Sequence, residues 1–402
     1  MSTFPKGFFA DGLYCGIKKN GKKDLSLFYS EKPCVAAGMF TKNVFKAAPV
    51  IVSQKNIKNE IHAIVVNSGC ANACTGERGT KDARKMCELT ADKLNVKPEN
   101  ILVASTGVIG QYLPMEKIKK GIEKIAHGLV GSQAHDWLAS VEAIMTTDTF
   151  PKIYSLQFTI CNLPVTIWAC AKGSGMIEPN LTCLAAKHAT MLSFILTDAK
   201  ITKKALSRAL SITVEKSFNC LTIDGDTSTN DTVFALANGE AKNDIISEGE
   251  NFRLFCDGLT TSCIELTKML ARDGEGATKL ITINVKGAKK FDDAKKIAKT
   301  VANSPLVKTA IFGNDANWGR IVAAIGRSGV EFDPKKVDVF FGNFCVFKKG
   351  RPTNFSEIEV KKILNQKEVN LNINLNLDGS SVTVYTCDLT EDYIKINANY
   401  RT

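Results

Sequence analysis

Two strings near the middle of the chain decide how its fold is interpreted: Lys172-Gly-Ser-Gly-Met-Ile-Glu-Pro-Asn180 and, further on, Ala189-Thr-Met-Leu-Ser-Phe-Ile-Leu196. The first is a glycine-rich loop, and the second places a small residue before a threonine that opens an apolar run. A threonine hydroxyl is a weak nucleophile unless a base lies within hydrogen-bond reach. A threonine that becomes the first residue of a chain carries its own base, because α-amines have a pKa of about 7.7–8.0. The strings are compatible with cleavage of the Ala189–Thr190 bond and with Thr190 as the exposed nucleophile. By residue type alone, an ordinary threonine at the start of a buried strand is the more common alternative.

Hydrophobic patterns on both sides of these strings predict a mixture of strands and helices. The strand predictions cover residues 35–40, 49–52, 61–66, 101–104, 153–170, 191–196, 279–285, 337–346 and 369–384, and the helix predictions cover residues 82–94, 114–129, 202–220, 252–272 and 292–303. Turn residues such as Asn162-Leu-Pro164 and Asp378-Gly379 join neighbouring strands, which is typical of antiparallel pairing. We therefore expect an α+β fold with mostly antiparallel sheets, and not a series of βαβ units.

Bulk composition narrows the class of protein. The chain has 402 residues, of which 44% are hydrophobic and 23% charged, which suits a globular protein of one large domain or two closely packed ones. The formal net charge is +11, but the lysines are scattered, so nucleic-acid binding is not favoured. The N-terminus lacks a signal-peptide core, and no run reaches transmembrane length. We expect a cytoplasmic protein that binds neither membrane nor nucleic acid.

Neither the cysteines nor the acidic residues predict a metal site. The thirteen cysteines are irregularly spaced, and Cys70 with Cys74 is the only close pair, which differs from the paired spacing of zinc sites and favours reduced thiols. Asp224, Asp226 and Asp231 form an acidic loop whose oxygens could bind a divalent cation, but their spacing does not fit a calcium loop. A hydrogen-bonded structural loop is the better interpretation, and we expect no metal ion.

Further strings complete the pattern. They are Asn67-Ser-Gly-Cys-Ala-Asn-Ala-Cys-Thr-Gly76, Ser105-Thr-Gly-Val-Ile-Gly110, Met145-Thr-Thr-Asp-Thr-Phe-Pro-Lys152, Asp224-Gly-Asp-Thr-Ser-Thr-Asn-Asp-Thr232, Arg272-Asp-Gly-Glu-Gly-Ala-Thr-Lys279, Phe312-Gly-Asn-Asp-Ala-Asn-Trp-Gly-Arg320 and Ile396-Asn-Ala-Asn-Tyr-Arg-Thr402. With the two central strings, they occur in the order of the ornithine acetyltransferase family, the glutamate N-acetyltransferases of arginine biosynthesis. The chain resembles this family over nearly its whole length.

The resemblance implies a self-processing enzyme of the N-terminal-nucleophile type with a layered α/β sandwich. Cleavage would give an α chain, residues 1–189, and a β chain, residues 190–402, paired as α2β2. Thr190 would take the acetyl group from N2-acetyl-L-ornithine and pass it to L-glutamate by a ping-pong mechanism. The resemblance implies no metal or organic cofactor, and some family members also accept acetyl-CoA as donor.

The resemblance also implies roles for individual residues. Thr106 and Gly107 would form the oxyanion hole, because a strand that ends in a glycine turn can present N–H groups to developing negative charge. Substrate contacts would come from Lys172, Thr190, Glu275, Asn397, Thr402 and one of the adjacent residues Thr146 and Thr147. By residue type alone, each of these has an ordinary structural alternative, such as a turn, a solvated side chain or a frayed chain end.

The chain departs from the family pattern just before the nucleophile. Residues 181–188 intervene, and an ungapped count from Lys172 would place Cys183 in the nucleophile position. A cysteine is chemically capable of the reaction, but the residues from Ala189 onward match the family and those after Cys183 do not. Thr190 is therefore favoured, with Cys183 as the alternative. Cys70 also stands where the family usually has asparagine.

Two other functions stay open. A self-cleaving aminopeptidase or amidohydrolase of related fold would release acyl groups to water and transfer none to glutamate. An uncleaved, inactive relative would act as a binding protein, and the extra residues before Thr190 are the feature that supports this alternative.

Overall fold

The computed structural model describes residues 3–130, 135–182, 191–377 and 379–399. These residues divide into two compact units. The first unit runs to Asn219 and continues from Asp226 to Leu266, and the second contains Cys220–Gly225 and the residues from Thr267 onward. Each unit has its own β-sheet.

The first unit is built on an eight-stranded sheet. Its strands are β1 (Phe8–Leu13), β2 (Leu25–Phe40), β3 (Ile61–Cys70), β4 (Ile101–Val108), β5 (Lys152–Ile160), β6 (Leu163–Lys172), β7 (Leu192–Thr197) and β8 (Thr232–Ala237). Its helices are α1 (Ala48–Asn56), α2 (Gly76–Leu94), α3 (Met115–Leu129), α4 (Trp137–Ile144), α5 (Lys203–Lys216) and most of α6 (Gly249–Arg272). The strand order is β4-β3-β2-β8-β7-β6-β5, and β1 pairs with β2 beside this path. Pairing is antiparallel except between β3 and β4 and between β7 and β8.

The centre of this sheet consists of β7 and β8, which run parallel to each other. All residues of both strands are buried, as expected for strands that are covered on both faces. Parallel neighbours need a crossover connection, and α5 lies in the segment that joins them. On the outer sides, β6 pairs with β7 and β2 pairs with β8.

Alternation along the strands divides the first unit's apolar side chains between two cores. Leu25 and Leu27 of β2 belong to a core that also contains the apolar faces of α2 and α3. Phe28, which follows Leu27 and lies on the opposite face, packs against Trp168 and Phe194 in the second core. Successive side chains of a strand point to opposite faces, so the sheet is buried on both sides and the unit is layered.

The second unit is built on a six-stranded sheet. Its strands are β9 (Leu280–Ala288), β10 (Asp338–Phe341), β11 (Phe344–Lys348), β12 (Arg351–Pro352), β13 (Glu368–Asn374) and β14 (Ser380–Cys387). Its helices are α7 (Phe291–Ala302), α8 (Pro305–Phe312), α9 (Trp318–Gly326), α10 (Glu357–Leu364) and α11 (Glu391–Asn399). The strand order is β12-β11-β10-β13-β9-β14, and only the β9–β13 pair in this described sheet is parallel.

The second sheet has its core on one face. In β13, Leu371 and Ile373 are buried in a core that includes Ile297 of α7, while Asn370 and Asn372 alternate with them on the other face. This period of two matches an antiparallel-type sheet with one covered side. None of the helices that the structure describes combines the length and apolar character needed to span a membrane.

The expected fold class, a layered α+β fold with mostly antiparallel sheets, is confirmed. The strand predicted at residues 49–52 is wrong, because these residues lie in α1, where Pro49 occupies the first turn and its missing N–H removes no helical hydrogen bond. The helix predicted at residues 202–220 ends at Lys216. The patterns missed α4 and α8 to α11, which have eight or nine residues each, too few turns for a clear period. Asp378 of the predicted turn lies outside the described residues.

Candidate active site

Lys172 is the last residue of β6 and exposes only 4% of its surface. Its Nζ donates to the hydroxyl of Thr146 at 2.8 Å and to the hydroxyl of Thr106 at 3.2 Å. Thr106 lies on β4 and Thr146 follows α4, so the three residues come from distant parts of the chain. The structure therefore brings together three of the residues that the sequence predicted for the site.

The two adjacent threonines, Thr146 and Thr147, have different partners. The hydroxyl of Thr147 hydrogen-bonds to the hydroxyl of Ser174 at 2.7 Å, and Ser174 lies in the glycine-rich loop that follows β6. Thr146 is the one whose hydroxyl contacts Lys172. Thr146 is therefore the stronger of the two candidates for a substrate contact, and this role stays a prediction.

The end of β4 leaves no room for a side chain after Thr106. Gly107 has a φ of +129°, and a Cβ at this position would lie 2.3 Å from the backbone carbon of Gly69 on the neighbouring strand β3. Only glycine adopts this backbone conformation without strain. The two residues predicted to form the oxyanion hole thus occupy a tightly constrained strand end, and their catalytic role stays a prediction.

An ion pair that the sequence patterns did not single out lies beside Lys172. Lys152 Nζ lies 2.6 Å from Asp148 Oδ1, and both side chains are fully buried. The same carboxylate accepts the backbone N–H of Gly173 at 2.6 Å and that of Thr146 at 2.9 Å. Asp148 therefore holds the two segments that carry Lys172 and Thr146.

The charges of this cluster keep Asp148 ionised. Burial alone would raise the pKa of Asp148, but the ammonium groups of Lys152 and Lys172 and the N–H of Gly173 outweigh burial and lower it. The acid and Lys152 are four residues apart in the string 145–152. Such a spacing pairs charges on a helix, and Asp148 lies outside any helix, so the string carries no clear signal of this pair.

Lys18 is a second residue that sequence reasoning missed, because it looked like one of several solvated lysines. Its Nζ donates to the carbonyl oxygens of Met145 and Lys23, both at 2.7 Å. Burial lowers the pKa of Lys18 to about 8, Asp24 acts in the opposite direction, and Lys172 adds to the lowering. This part of the first unit therefore carries concentrated positive charge, which suits an anionic substrate group.

In the second unit, Glu275 and Asn397 lie in contact. Glu275, in the turn after α6, accepts a hydrogen bond from Asn397 Nδ2 at 2.9 Å, and the same amide donates to the carbonyl of Tyr393 at 3.0 Å. The hydroxyl of Thr390 donates to the carbonyl of Gly276 at 2.7 Å, which ties the turn to the start of α11. Asn397 is thus part of a helix, and not of a frayed chain end.

Several predicted residues, namely Ala189, Thr190, the alternative nucleophile Cys183 and Thr402, lie outside the described residues. The described chain resumes at Met191, whose backbone N–H donates to the carboxyl group of Asp231. Cleavage and the identity of the nucleophile therefore stay predictions.

Within the described ranges, no group of three or more histidine, cysteine, aspartate or glutamate side chains is placed to hold a metal ion. The cysteines in the same ranges are free thiols.

Comparison with known proteins adds independent findings. The ArgJ family matches residues 9–402 of the chain. The arginine biosynthesis bifunctional protein ArgJ of Symbiobacterium thermophilum is 48% identical over 404 residues, covering 100% of this chain and 98% of that protein. ArgJ 1 of Clostridium acetobutylicum is 50% identical over 402 residues, covering 98% and 96%. The crystal structure of ArgJ from Bacillus halodurans is 45% identical, with a TM-score of 0.51, and covers 52% of this chain and 100% of that chain.

The layered fold, the lysine-centred cluster and these relatives define the chain as a biosynthetic enzyme. It belongs to the ArgJ family. The family resemblance inferred from the sequence strings is confirmed, and so is the prediction that the protein is an enzyme.

Proposed function

We propose that this protein transfers an acetyl group from N2-acetyl-L-ornithine to L-glutamate through an acetyl ester on Thr190. The observation that carries the proposal is Lys172, which is buried and donates to the hydroxyls of both Thr106 and Thr146. The sequence strings that resemble the family also contain Lys172, Thr106 and Thr146. The reaction of the family is therefore assigned to this cluster.

The proposed reaction begins with self-cleavage. The hydroxyl oxygen of Thr190 adds to the carbonyl carbon of Ala189, the C–N bond breaks, and the nitrogen takes the proton, which leaves an ester. Water then hydrolyses this ester, so that Ala189 gains a carboxylate and Thr190 keeps a free hydroxyl and a free α-amine. The products are an α chain of residues 1–189 and a β chain of residues 190–402.

Two observations support this division. Strand pairing crosses the predicted cut, since β6 pairs with β7 and β2 pairs with β8, and backbone ladders of this kind would hold the two fragments in one sheet. The crystallised chain of the Bacillus halodurans relative, matched over its whole length, covers 52% of this chain, which is the length expected of one fragment. We further propose that the fragments pair as α2β2.

The first half-reaction loads the acetyl group. The Thr190 oxygen attacks the acetyl carbonyl carbon, its proton passes through the α-amine to the leaving nitrogen, and ornithine departs with a neutral amine. Lys172 lowers the pKa of that α-amine by charge repulsion, which keeps more of it neutral. Thr106 and Gly107 stabilise the carbonyl oxygen, a contribution of about 2.7–4 kcal/mol per donor.

The second half-reaction transfers the acetyl group from Thr190 to glutamate. The neutral amine of glutamate attacks the ester carbonyl, the bond to the Thr190 oxygen breaks, and that oxygen takes back a proton. The substrates carry carboxylates, which suit the positive charge around Lys172 and Lys18, and an amino group, which suits Glu275. Asn397 and Thr402 are proposed to contact substrate polar groups. Acetyl-CoA is an alternative donor for the first half-reaction.

Mass spectrometry of the purified protein tests cleavage. We expect two fragments, the second beginning at Thr190, and one uncut chain for Thr190→Ala. Cys183→Ala is the matched control and should be cut normally. A second fragment that begins at Cys183 would transfer the nucleophile role to that residue, and a single full-length band for the native chain would favour the inactive binding protein.

An isotope-transfer assay tests the chemistry. Labelled N2-acetyl-L-ornithine and glutamate should give labelled N-acetylglutamate, and Thr190→Ala should abolish transfer. Label released as acetate, with none on glutamate, would identify a hydrolase instead. Replacing the donor by labelled acetyl-CoA tests the alternative donor, and light scattering measures whether the assembly has the mass of α2β2.

A further inference from the structure

Asp388 is a buried carboxyl group that faces the turn between α6 and β9, residues 273–279, which we call the Glu275 turn. It exposes only 3% of its surface. Its Oδ1 accepts the backbone N–H of Thr278 at 2.8 Å and that of Lys279 at 3.0 Å, and its Oδ2 accepts the hydroxyl of Thr278. One side chain therefore takes three hydrogen bonds from the end of the turn.

Lys279, at the end of the turn, is fixed through both its side chain and its backbone. Its Nζ donates to the carbonyl of Ile311, in the last turn of α8, at 2.6 Å and to Asn314 Oδ1 at 2.5 Å. A cation near the C-terminus of a helix is favoured by the helix dipole. The backbone N–H of Asp388 also donates to the carbonyl of Lys279 at 3.4 Å. Asp388 thus holds Thr278 next to a residue that is already fastened to the unit.

The two glycines on either side of Glu275 leave no room between the turn and the residues around Asp388. A Cβ on Gly274 would lie 2.7 Å from Sγ of Cys387. Gly276 has a φ of +70°, which favours glycine, and a Cβ there would lie 2.5 Å from the backbone nitrogen of Tyr393. The backbone on both sides of Glu275 is therefore packed closely against residues 387–393.

Asp388 lies in the short connection from β14 to α11, and α11 carries Asn397. We propose that Asp388 is a positioning residue for substrate recognition: by fastening the Glu275 turn to the start of α11, it fixes the Glu275 carboxylate relative to Asn397. The inference rests on the proposed function, since it assumes that Glu275 binds the amino group of the substrate. A binding group recognises its ligand well only when surrounding hydrogen bonds hold it in place. Asp388 itself contacts no substrate in this role.

Steady-state kinetics of Asp388 variants test the positioning role. Asp388→Ala removes the acceptor of all three hydrogen bonds, so the turn can shift, and we expect the KM for acetylornithine to rise about fivefold or more with kcat within about twofold of the native value. Asp388→Asn keeps an accepting oxygen for the two N–H groups, and its amide can donate to the Thr278 hydroxyl, so KM should stay within about twofold. If the alanine variant does not fold, Thr278→Val replaces it, because it removes one of the three bonds, and KM should rise about threefold.

A double-mutant cycle with Glu275→Gln separates positioning from general damage to the fold. If Asp388 acts through the charge of Glu275, its removal has little left to misplace once that charge is gone. In the Glu275→Gln background, Asp388→Ala or Thr278→Val should therefore change KM by less than about twofold. Two unrelated defects would instead multiply.

Asp338 supplies the matched control within the same unit. It is another buried carboxyl group, at the start of β10, and it accepts the backbone N–H of Lys349 at 2.8 Å and Nδ2 of Asn376 at 2.9 Å. In the second sheet, β13 and β9 separate β10 from β14. Asp338→Ala should lower the melting temperature without changing the KM of the folded protein.

The outcomes are separable. If the native protein transfers no acetyl group, the proposed function fails and this inference fails with it. If the native protein is active and Asp388→Ala, or Thr278→Val in its place, keeps the native KM, only the positioning role is overturned. An equal rise in KM for Asp338→Ala, an asparagine variant as impaired as the alanine variant, or multiplied effects in the double variant would also overturn it. A raised KM that Asp388→Asn restores and that Glu275→Gln abolishes, with an unaffected control, supports it.

Discussion

The buried cluster around Lys172 in the first unit and the Glu275–Asn397 pair in the second represent two ways of presenting polar groups. Lys172, Asp148 and Lys152 are almost wholly enclosed. Lys152 donates to Asp148 at 2.6 Å, and Lys172 donates to two threonine hydroxyls. Asn397 lies on an exposed terminal helix, and its contacts are one carboxylate and one carbonyl. Enclosed charges interact strongly and depend on complete pairing, whereas the second pair joins one buried carboxylate to a neutral amide on an exposed helix face.

This difference separates folding from binding. Changes in the Lys172 cluster should disturb stability and chemistry together, because the same hydrogen bonds fix the backbone and orient the reactive groups. Changes at the Glu275–Asn397 pair should leave folding intact and alter substrate affinity alone. Substitutions in the Lys172 cluster should therefore have larger effects than substitutions in the Glu275–Asn397 pair, and each measurement can contradict this separation.

The largest effect is expected for Asp148→Asn. The substitution removes the negative charge that opposes the ammonium groups of Lys152 and Lys172, and removing one partner of a buried pair typically costs about 3–5 kcal/mol. We expect a decrease of that size in the free energy of unfolding, measured by urea denaturation at pH 7. Adding Lys152→Met to the same chain should recover part of the loss, because it removes one of the uncompensated charges.

The effect of Asp148 should also depend on pH. Its pKa is lowered in the folded protein from an ordinary value near 3.8, so its contribution to stability is complete above that value and is lost as the pH falls through the folded pKa. The stability difference between the native protein and Asp148→Asn should therefore shrink below about pH 3.8. A difference independent of pH would show that the charge of Asp148 is not what stabilises the cluster.

The next effect is expected for Lys172→Met, which keeps the length of the side chain but removes its charge. The hydroxyls of Thr106 and Thr146 lose their shared donor, and in the proposed mechanism the α-amine of Thr190 also loses a repelling charge. We expect kcat/KM for acetyl transfer to fall by at least about 100-fold, equivalent to roughly 2.7 kcal/mol. Lys22→Met, at an exposed lysine, is the control and should have the activity of the native protein. If Lys172→Met also had native activity, the Lys172 cluster would have no role in acetyl transfer.

Part of the site could be predicted from the sequence, because its residues lie in recognisable strings. Lys172, Thr106 and one of the adjacent residues Thr146 and Thr147 were assigned on that basis, and the structure joins Lys172 to Thr106 and Thr146. The Asp148–Lys152 pair was not assigned, since burial gives it importance and burial depends on how β5 and β6 pack. Asp231 was interpreted as part of a structural loop, because nothing in its string indicates that its carboxyl group meets the backbone of Met191.

The fold, like the site, could be predicted only in part from the sequence. Long periodic segments such as α2 and α6 were predicted, whereas the strand expected at residues 49–52 is a helix. A short apolar run carries no period of its own, so packing decides its conformation. The contact between Glu275 and Asn397 joins residues far apart in the sequence, and their separate strings gave no sign of it.

A smaller effect is expected from a comparison of Thr146→Val with Thr147→Val. Valine keeps the shape of threonine and removes the hydroxyl, so each variant deletes one hydrogen bond. Thr146 accepts from an ammonium group, and hydrogen bonds to charged groups contribute about 1.5–3 kcal/mol, whereas Thr147 bonds to the neutral hydroxyl of Ser174. We expect kcat/KM to fall about tenfold or more for Thr146→Val and by clearly less for Thr147→Val. The reverse order would assign the substrate contact to Thr147.

The smallest effect is expected for Glu275→Gln, which keeps the acceptor for Asn397 and removes the charge proposed to bind a substrate amino group. Glu275 exposes only 9% of its surface, and glutamine keeps its shape and its acceptor oxygen while removing the charge. We therefore expect a KM for acetylornithine raised by roughly fivefold, an unchanged kcat, and a free energy of unfolding within about 0.5 kcal/mol of the native value. Glu391→Gln, at the exposed start of α11, is the matched control. A large loss of stability in Glu275→Gln would contradict the separation of folding from binding, because it would show that this pair, like the Lys172 cluster, holds its unit together.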